Sequence, residues 1–161
     1  MKIGIISDTH IKSQQDQLPQ AVYKIFKDVE TIYHAGDLVD FSVIDKLQSI
    51  APVIAVCGNM DSVEVKKKLP SLEWMSFYNH KIVLTHGGGP PWQLKKRIVE
   101  KLREKPDVVV FGHSHTPEVT KLNNIIFVNP GSPTDTVFFR TNSVALMTVT
   151  EKEVAAEIIY L

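Results

Sequence analysis

Over its first 58 residues the chain alternates short apolar runs with stretches of helical periodicity. Apolar runs at residues 3–6, 31–34 and 52–57 predict three buried strands, each followed closely by a polar or glycine residue. Between the first two strands, apolar residues recur at helical spacing over residues 18–29. A second, shorter helix, which Asp40 can cap, separates the second strand from the third. A β-α-β-α-β order requires parallel strands joined by helical crossovers, so we predict the α/β class.

The remainder of the chain is richer in strands. Residues 74–78 and 81–85 have the pattern of a hairpin around Asn79-His80, and residues 94–102 predict one amphipathic helix. Further strands are predicted at residues 107–111, 118–122, 125–128, 136–140, 143–149 and 154–160. This order favours a four-layer α/β sandwich, in which two packed mixed β-sheets are flanked by α-helices. Since no repeat or Gly/Ser linker divides the sequence, we predict a single domain over residues 1–161.

The composition argues against a nucleic-acid or membrane partner. Lys and Arg number 18, as do Asp and Glu, so the basic excess of a typical nucleic-acid binder is absent. Cys57 is the only cysteine, so no intrachain disulfide can form. The N-terminal apolar run is too short for a signal peptide, and no run approaches the roughly 18 apolar residues that span a bilayer. We therefore expect a cytoplasmic protein.

Side chains of the metal-ligating types follow five of the predicted strands. They are Asp8 and His10 after the first strand, Asp37 after the second, Asn59 after the third, His86 after residues 81–85, and His113 and His115 after residues 107–111. In open α/β sheets, sites are built at the carboxyl ends of the strands. The five strands could therefore bring all seven side chains to one place.

Taken alone, each motif has an ordinary structural explanation. Asp8-Thr9-His10, Gly36-Asp37 and Gly58-Asn59 are also turn sequences, and a lone histidine such as His86 is more often a hydrogen-bonded polar residue. The motifs taken together favour a metal site, because all of them follow strand ends in one chain. Imidazole, carboxylate and amide oxygen together suit Mn, Fe, Zn, Co or Ni. Seven candidates exceed what one ion needs, which indicates two ions that share a carboxylate and can clamp a phosphate.

The motif set resembles that of the calcineurin-like metallophosphoesterases, whose signature runs D-x-H, G-D, G-N-H-[DE], H-G and G-H-x-H. The matching segments are Asp8-Thr9-His10, Gly36-Asp37, Gly58-Asn59-Met60-Asp61, His86-Gly87 and Gly112-His113-Ser114-His115. Asn129-Pro130-Gly131-Ser132 is also similar to the small bacterial and archaeal phosphodiesterases of that family. The resemblance covers nearly the whole chain and implies the family fold, a β-sandwich flanked by helices.

The resemblance also implies a ligand set and a reaction. One metal would be held by Asp8, His10, Asp37 and His115, and the other by Asp37, Asn59, His86 and His113, with Asp37 as the bridge. The implied reaction is hydrolysis of a small phosphodiester, through in-line attack by a hydroxide that bridges the metals. Two divalent transition-metal ions are expected, with Mn²⁺ or Ni²⁺ favoured and Fe, Zn or Co as alternatives.

One position departs from the family pattern. Met60 stands where the family has a histidine that is usually assigned to protonating the leaving oxygen or binding the phosphate, and methionine has no transferable proton. A positioned general acid contributes about 10²–10⁴-fold, so we expect slow turnover of esters with poor leaving groups. Asn59 and Asp61 beside it are the predicted catalytic residues. Asp61 would orient the loop, and the alternative explanation is a surface turn residue.

Three further segments have both a structural and a functional interpretation. Gly88-Gly89-Pro90-Pro91 could be a substrate-side loop or a rigid connector into the next helix. Lys66-Lys67-Lys68 favours a solvated surface, although it could attract an anionic substrate. The basic residues between 95 and 105 alternate with an apolar stripe, which predicts the exposed face of a helix.

Three functions follow as hypotheses. A phosphodiesterase comes first, because all seven ligand positions are filled. The alternative is a protein-interaction scaffold on the same fold, like the retromer subunit that resembles these enzymes, although a scaffold has no need for a complete ligand set. A nuclease of the same family is the third hypothesis, weakened by the zero net charge. The strand-rich C-terminal part could also pair with another copy at a sheet edge, giving a homo-oligomer, a dimer or larger.

Overall fold

The computed structural model describes residues 1–135 and 141–161, which form ten strands and four helices. The strands are β1 (Lys2–Ile6), β2 (Thr31–His34), β3 (Val53–Ala55), β4 (Leu72–Phe77), β5 (His80–Thr85), β6 (Val108–Val110), β7 (Glu118–Leu122), β8 (Ile125–Asn129), β9 (Ser143–Val149) and β10 (Val154–Tyr160). The helices are α1 (Gln20–Ile25), α2 (Ser42–Gln48), α3 (Val63–Lys68) and α4 (Leu94–Glu100). The predicted strand at residues 136–140 lies outside the described residues.

The first sheet has the strand order β10-β9-β1-β2-β3. Its three N-terminal strands are parallel, with Ile5 opposite Tyr33 and Tyr33 opposite Ile54. The parallel arrangement predicted from the β-α-β-α-β order is therefore confirmed. β9 pairs antiparallel with the other side of β1, and β10 forms the predicted C-terminal hairpin with β9.

The second sheet has the strand order β4-β5-β6-β8-β7. β5, β6 and β8 are parallel, whereas β4 and β7 pair antiparallel with β5 and β8. Both sheets are therefore mixed, as predicted. The hairpin between β4 and β5 turns at Tyr78-Asn79 instead of the predicted Asn79-His80, and Tyr78 has a left-handed backbone with φ of 54°.

Three apolar clusters separate four layers of structure. The central cluster lies between the two sheets and includes Ile3 of one sheet and Leu84 of the other. A second cluster packs the outer face of the first sheet against α1, α2 and α3, with Val22 fully buried. A third cluster packs Leu94 of α4 against Phe127 of the second sheet. Burial of each large apolar side chain contributes about 1.5–3 kcal/mol to the free energy of folding. The predicted four-layer sandwich is confirmed.

The helices differ from the predictions in two places. α1 begins later than predicted, because Pro19 has extended backbone with ψ of 136° and disfavours helical conformation in the residue before it, and it ends at Ile25, earlier than the predicted residue 29. α3 was not predicted, since its only apolar residues, Val63 and Val65, are two positions apart and do not show helical spacing. Its N-terminus is capped by Ser62, whose hydroxyl oxygen accepts a hydrogen bond from the Val65 amide at 3.3 Å. Within the described ranges, no helix is long and apolar enough to cross a membrane.

Candidate metal centre

The seven predicted ligands lie together at the carboxyl ends of strands from both sheets. Asp8 and His10 follow β1, Asp37 follows β2, Asn59 follows β3, His86 follows β5, and His113 and His115 follow β6. Because the sheets pack face to face, the five loops meet at one end of the sandwich. Sequence reasoning therefore identified side chains that the fold does bring into contact.

Asp8, His10 and His115 form the first group of potential ligands. Asp8 Oδ1 is 3.2 Å from His115 Nε2 and 3.9 Å from His10 Nε2. The two histidine nitrogens are 3.3 Å apart. One carboxylate oxygen and two imidazole nitrogens thus face a common point, which is a donor set suited to a divalent transition metal.

His86 lies at the centre of the second group. Its Nε2 is 3.2 Å from Asp37 Oδ2, 3.2 Å from Asn59 Oδ1 and 3.9 Å from Asp8 Oδ1. Asn59 Oδ1 is in turn 2.9 Å from His113 Nδ1. Asp8 therefore approaches histidines of both groups, whereas the sharing of Asp37 by two metals stays a prediction.

Two of the histidines use one ring nitrogen to fix the ring and direct the other at the site. His86 Nδ1 donates to the carbonyl oxygen of Ala35, and His113 Nε2 donates to that of Gly89, both at 2.7 Å. In a neutral ring the other nitrogen then carries a lone pair. His113 Nδ1 and Asn59 Oδ1 are therefore two acceptors facing each other at 2.9 Å. Such an arrangement is stabilised when both bind one cation.

His115 is oriented in the same way by Asp135, which sequence reasoning missed. His115 Nδ1 donates to Asp135 Oδ2 at 2.6 Å, and Nε2 faces Asp8. The Asp8 carboxylate, together with Asp135 and against the effect of burial, raises the pKa of His115 to about 9. A metal ion that binds Nε2 of His115 must displace the proton on that nitrogen, so metal binding depends on pH. The available signal for Asp135 was its place soon after Asn129-Pro130-Gly131-Ser132.

Asp8 is fully buried, and its two oxygens have different surroundings. Oδ2 accepts a hydrogen bond from the Ser7 hydroxyl at 2.6 Å and another from the His113 backbone amide at 3.1 Å. Oδ1 receives no hydrogen bond from the described residues. A buried carboxylate oxygen without a donor is costly, and a bound cation removes that cost. The residues at this site therefore fit a divalent metal.

The paired charges of Asp37 and His86 also favour an ionised carboxylate. Burial by itself raises the pKa of Asp37, but the hydrogen bond and charge of His86 outweigh it and lower that pKa. Burial likewise lowers the pKa of His86, yet the hydrogen bond to Asp37 and the charge of Asp8 raise it above its ordinary value. The carboxylate is thus held in the form that binds a metal ion.

The backbone of the ligand residues lies in the left-handed region. The residues concerned are Asp8, His10, Asp37, His113 and His115, with φ between 46° and 70°. Non-glycine residues adopt this conformation at a cost of about 1–3 kcal/mol, and such residues cluster at functional sites. The surrounding contacts must therefore hold these loops in place.

Two motif glycines let backbone and side chains approach closely. A Cβ atom at Gly58 would overlap Asp37 Oδ1, and one at Gly112 would overlap the Ser7 hydroxyl that holds Asp8. A side chain at either position would displace a carboxylate of the site. The close approach of the two carboxylates therefore requires glycine at both positions.

Asp61 is buried beneath the ligands and joins two loops. Its Oδ2 accepts hydrogen bonds from the backbone amides of Gly58 at 2.6 Å and Asp37 at 3.0 Å. Its Oδ1 accepts one from the Val39 amide at 2.5 Å. With 4% of its surface exposed, Asp61 is not the surface turn residue of the alternative explanation. The contacts fit the predicted role of orienting the loop.

Met60 lies at the open edge of the site. Its backbone amide donates to Asp37 Oδ1 at 2.7 Å, while 61% of the residue is exposed. The side chain lines a cavity together with His10 and His115. The position that lacks a proton donor therefore faces the first ligand group and solvent.

His34 lies directly behind the site and is fully buried. Its Nδ1 accepts a hydrogen bond from the Gly36 amide at 3.2 Å, so Nε2 carries the proton and donates to Thr9 Oγ1 at 3.1 Å. Burial lowers the pKa of His34 to about 4. The neutral ring thus links the loops that follow β1 and β2.

The glycine-rich loop after His86-Gly87 is bound by α4. The Arg97 guanidinium donates to the carbonyl oxygens of Gly88 at 3.1 Å, Trp92 at 2.6 Å, and Pro90. The predicted exposed basic face of this helix is therefore partly wrong, because Arg97 is half-buried against the loop. The aliphatic part of a long basic side chain packs against the protein while its charged end finds carbonyl partners.

Comparison with known proteins agrees with this geometry. The sequence profile of the calcineurin-like phosphoesterase superfamily domain matches residues 1–152. A probable metallophosphoesterase of Methanocaldococcus jannaschii is 40% identical over 139 residues, which cover 83% of this chain and 69% of the relative. A phosphodiesterase of the same organism is 34% identical over 151 residues, covering 81% and 83% of the two chains. Vps29 of Chaetomium thermophilum has a TM-score of 0.78 at 24% identity, with 99% and 97% of the chains covered, and shares the fold.

Proposed function

Because the chain belongs to the calcineurin-like phosphoesterase superfamily, we propose that it is a phosphodiesterase that depends on two divalent metal ions. One observation carries the proposal. Imidazole, carboxylate and amide groups converge at the sheet ends, and Asp8 Oδ1 is buried among the ring nitrogens of His10, His86 and His115 without a hydrogen bond of normal geometry from the described residues. A carboxylate in that position is the arrangement expected at a metal centre.

The ligand assignment follows the two groups. Asp8, His10 and His115 would hold one ion, and Asp37, Asn59, His86 and His113 would hold the other, with Asp37 proposed as the shared carboxylate. Mn²⁺ or Ni²⁺ is favoured, and Fe, Zn or Co are alternatives, because the donors are nitrogen and oxygen without thiolate. When bound, two such ions polarise the phosphoryl oxygens and acidify a water for in-line attack on phosphorus.

The chain's own residues prepare this site. Asp61 holds the backbone amides of Gly58 and Asp37, which places Asp37 and the loop that carries Asn59. Asp135 holds His115 with Nε2 directed at the site. A carboxylate that orients a ligand histidine is typically worth about 10–100-fold in metal affinity or activity.

The substrate class follows from what the site lacks. Met60 cannot protonate a leaving oxygen, so esters whose leaving group needs no proton should be hydrolysed fastest. This favours esters with activated leaving groups, and the similarity to a phosphodiesterase of Methanocaldococcus jannaschii favours diesters over monoesters. The zero net charge favours a small phosphodiester over a nucleic-acid polymer. A single domain, a homo-oligomer and a cytoplasmic location remain predictions.

The test is hydrolysis of bis(p-nitrophenyl) phosphate with Mn²⁺ or Ni²⁺. We expect Asp37→Asn to lower kcat/KM by more than about 100-fold, because it changes a direct ligand. The matched control is Asp28→Asn, which alters an exposed aspartate outside the two ligand groups and should leave hydrolysis unchanged. Activity that survives both Asp37→Asn and chelation would refute the site assignment.

Elemental analysis distinguishes the alternative, a protein-interaction scaffold on the same fold. Two metal ions per chain with hydrolysis support the enzyme. One ion or fewer, with no hydrolysis under any divalent metal, would favour the scaffold. Cleavage of single-stranded DNA in the same assay would favour the nuclease.

A further inference from the structure

A cavity of about 420 Å³ opens beside the second ligand group. Its wall includes Asn59 and His86, so a molecule bound at the metal centre can extend into it. The volume lies within the range of small-molecule sites, roughly 300–1,000 Å³. We call this space the basic pocket; its lining residues include Lys66, Leu72, Leu94, Arg97, Ile98 and Lys101.

The basic pocket has an apolar interior and a charged rim. Leu94 and Ile98 of α4 are 4% and 5% exposed and form the interior together with the half-buried Leu72. Lys66 and Lys101 are exposed at the opening. The pocket therefore combines a surface for an apolar group with positive charge.

The positive charge of the pocket is not neutralised by its own residues. None of the lining residues is acidic. Lys66 Nζ donates to the Asn59 carbonyl oxygen at 2.7 Å, and Arg97 donates to the carbonyl oxygens of Gly88 and Trp92. Carbonyl oxygens satisfy the donors but leave the charges in place. Within the described part of the chain, Lys66, Arg97 and Lys101 form no ion pair with a carboxylate.

The cavity on the opposite flank of the metal centre differs from the basic pocket in the charges of its lining residues. Among the described residues, the cavity beside His10 and Met60 is lined by Lys12 and by two carboxylates, Asp16 and Asp135, and Asp135 is paired with His115. An anionic arm of a substrate is attracted more strongly on the side of the basic pocket, whose lining residues include no carboxylate. The total charge of the chain is zero, but the two flanks of the site differ in charge, and this difference can orient an anionic substrate.

We propose that the basic pocket binds one arm of the phosphodiester substrate, and that this arm carries a second anionic group, such as a phosphate, next to an apolar ring. The proposal rests on the proposed function, since it concerns the substrate of the same site. The reacting diester would lie at the metal centre, the ring against Leu94 and Ile98, and the second anion near Arg97 and Lys101. Charge-assisted contacts of this kind combine affinity with orientation.

A matched pair of chromogenic substrates tests the proposal. The p-nitrophenyl ester of thymidine 5′-phosphate and its 3′-phosphorylated counterpart have the same leaving group and differ by one phosphate. In the wild type we expect kcat/KM to be about tenfold higher for the 3′-phosphorylated ester, the size expected from one or two half-exposed ionic contacts. A ratio of one or less would overturn the proposal.

Substitutions of the pocket cations show which residues produce the preference for the 3′-phosphorylated ester. Lys101→Gln should lower the ratio of the two kcat/KM values to about threefold, and the double variant Arg97→Gln with Lys101→Gln should bring it to about one. Arg97 also holds the glycine-rich loop, so Lys101→Gln alone keeps the test valid if the double variant does not fold. Lys96→Gln is the control, because Lys96 is exposed on the same helix outside the pocket and should leave the ratio unchanged. A ratio that stays at ten in Lys101→Gln and in the double variant refutes the assignment.

A binding measurement separates failure of this proposal from failure of the proposed function. Calorimetric titration compares thymidine 3′,5′-bisphosphate with thymidine 5′-phosphate in the presence of Mn²⁺ and does not require turnover. Tighter binding of the bisphosphate, reduced in Lys101→Gln and lost in the double variant, supports the pocket even if no ester is hydrolysed. Equal binding of both ligands overturns it even if bis(p-nitrophenyl) phosphate is hydrolysed rapidly.

Discussion

Replacing Asp61 with alanine removes the acceptor of three backbone amides at once. Two of these amides, on Gly58 and Asp37, are buried, and the third, on Val39, is partly buried. The methyl group of alanine accepts no hydrogen bond. The substitution therefore leaves backbone donors without a partner inside the protein.

The expected cost follows from the number of donors. Each buried donor left unsatisfied costs about 1–3 kcal/mol, so the two buried amides together cost about 2–6 kcal/mol. The Val39 amide can bind water and adds less. Since the total stability of a domain is about 5–15 kcal/mol, Asp61→Ala should remove a large part of it. Asp61→Asn keeps one acceptor oxygen and should cost about 1–3 kcal/mol.

Asp16→Ala is a matched control for this measurement. Asp16 Oδ2 also accepts hydrogen bonds from two backbone amides, those of Lys12 and Ser13, both at 3.1 Å. Asp16 is exposed, so water can replace it and the loss should be about 1 kcal/mol or less. The two aspartates thus differ in burial, while both serve as acceptors for backbone amides.

Urea unfolding followed by circular dichroism gives the free energies of unfolding. A chelator in the buffer prevents bound metal from adding to the stability of any variant. We expect the loss to increase in the order Asp16→Ala, Asp61→Asn, Asp61→Ala. If Asp61→Ala lowers the free energy of unfolding no more than Asp16→Ala does, the structural role given to Asp61 is wrong.

Three further predictions concern the site and its surroundings. Asp135→Asn should weaken Mn²⁺ binding by about 10–100-fold, measured by calorimetry, because the carboxylate that orients His115 becomes a neutral amide; unchanged affinity would contradict this. The pKa of His34 lies near 4 in the folded protein and near 6.5 when unfolded, so its contribution of about 3 kcal/mol is complete above pH 6.5 and is lost as the pH falls toward 4. Urea titrations of wild type and His34→Gln across this range should differ in slope, and parallel curves would count against it. Met60→His should raise the hydrolysis of diesters with alkoxide leaving groups by about tenfold, part of what a positioned acid supplies, and p-nitrophenyl release much less; equal gains on both would show that no proton is donated.

Strand pairing shows where sequence reasoning reached its limit. Local periodicity located most strands, because an apolar run reports burial of its own segment. It did not reveal that β9 pairs with β1, placing Ile3 opposite Met147, or that β8 lies between β6 and β7. Those pairings join segments far apart in the chain, and their energies depend on packing between sheets. α3 was missed for a related reason, since its single buried residue, Val65, gives no periodic signal.

Some residues of the candidate site could likewise be predicted from the sequence, and others could not. Asp8, Asp37 and His86 could be found because each follows a strand end, which is a local pattern. Asp135 follows no such pattern, and its contact with His115 joins residues 20 positions apart. The burial of Asp61 also required the structure, because the sequence allowed an exposed turn equally well.

The sequence by itself determined the α/β class and which polar side chains gather at the ends of the strands, since both depend on the order of residues within short segments. The tertiary structure alone decided which nitrogen of each histidine faces the site, as in His86 bound to the Ala35 carbonyl. It also decided that one flank of the site carries Arg97 and Lys101 and the other Asp135. These features are contacts through space between distant segments, and distances of that kind are set by the packing of the layers.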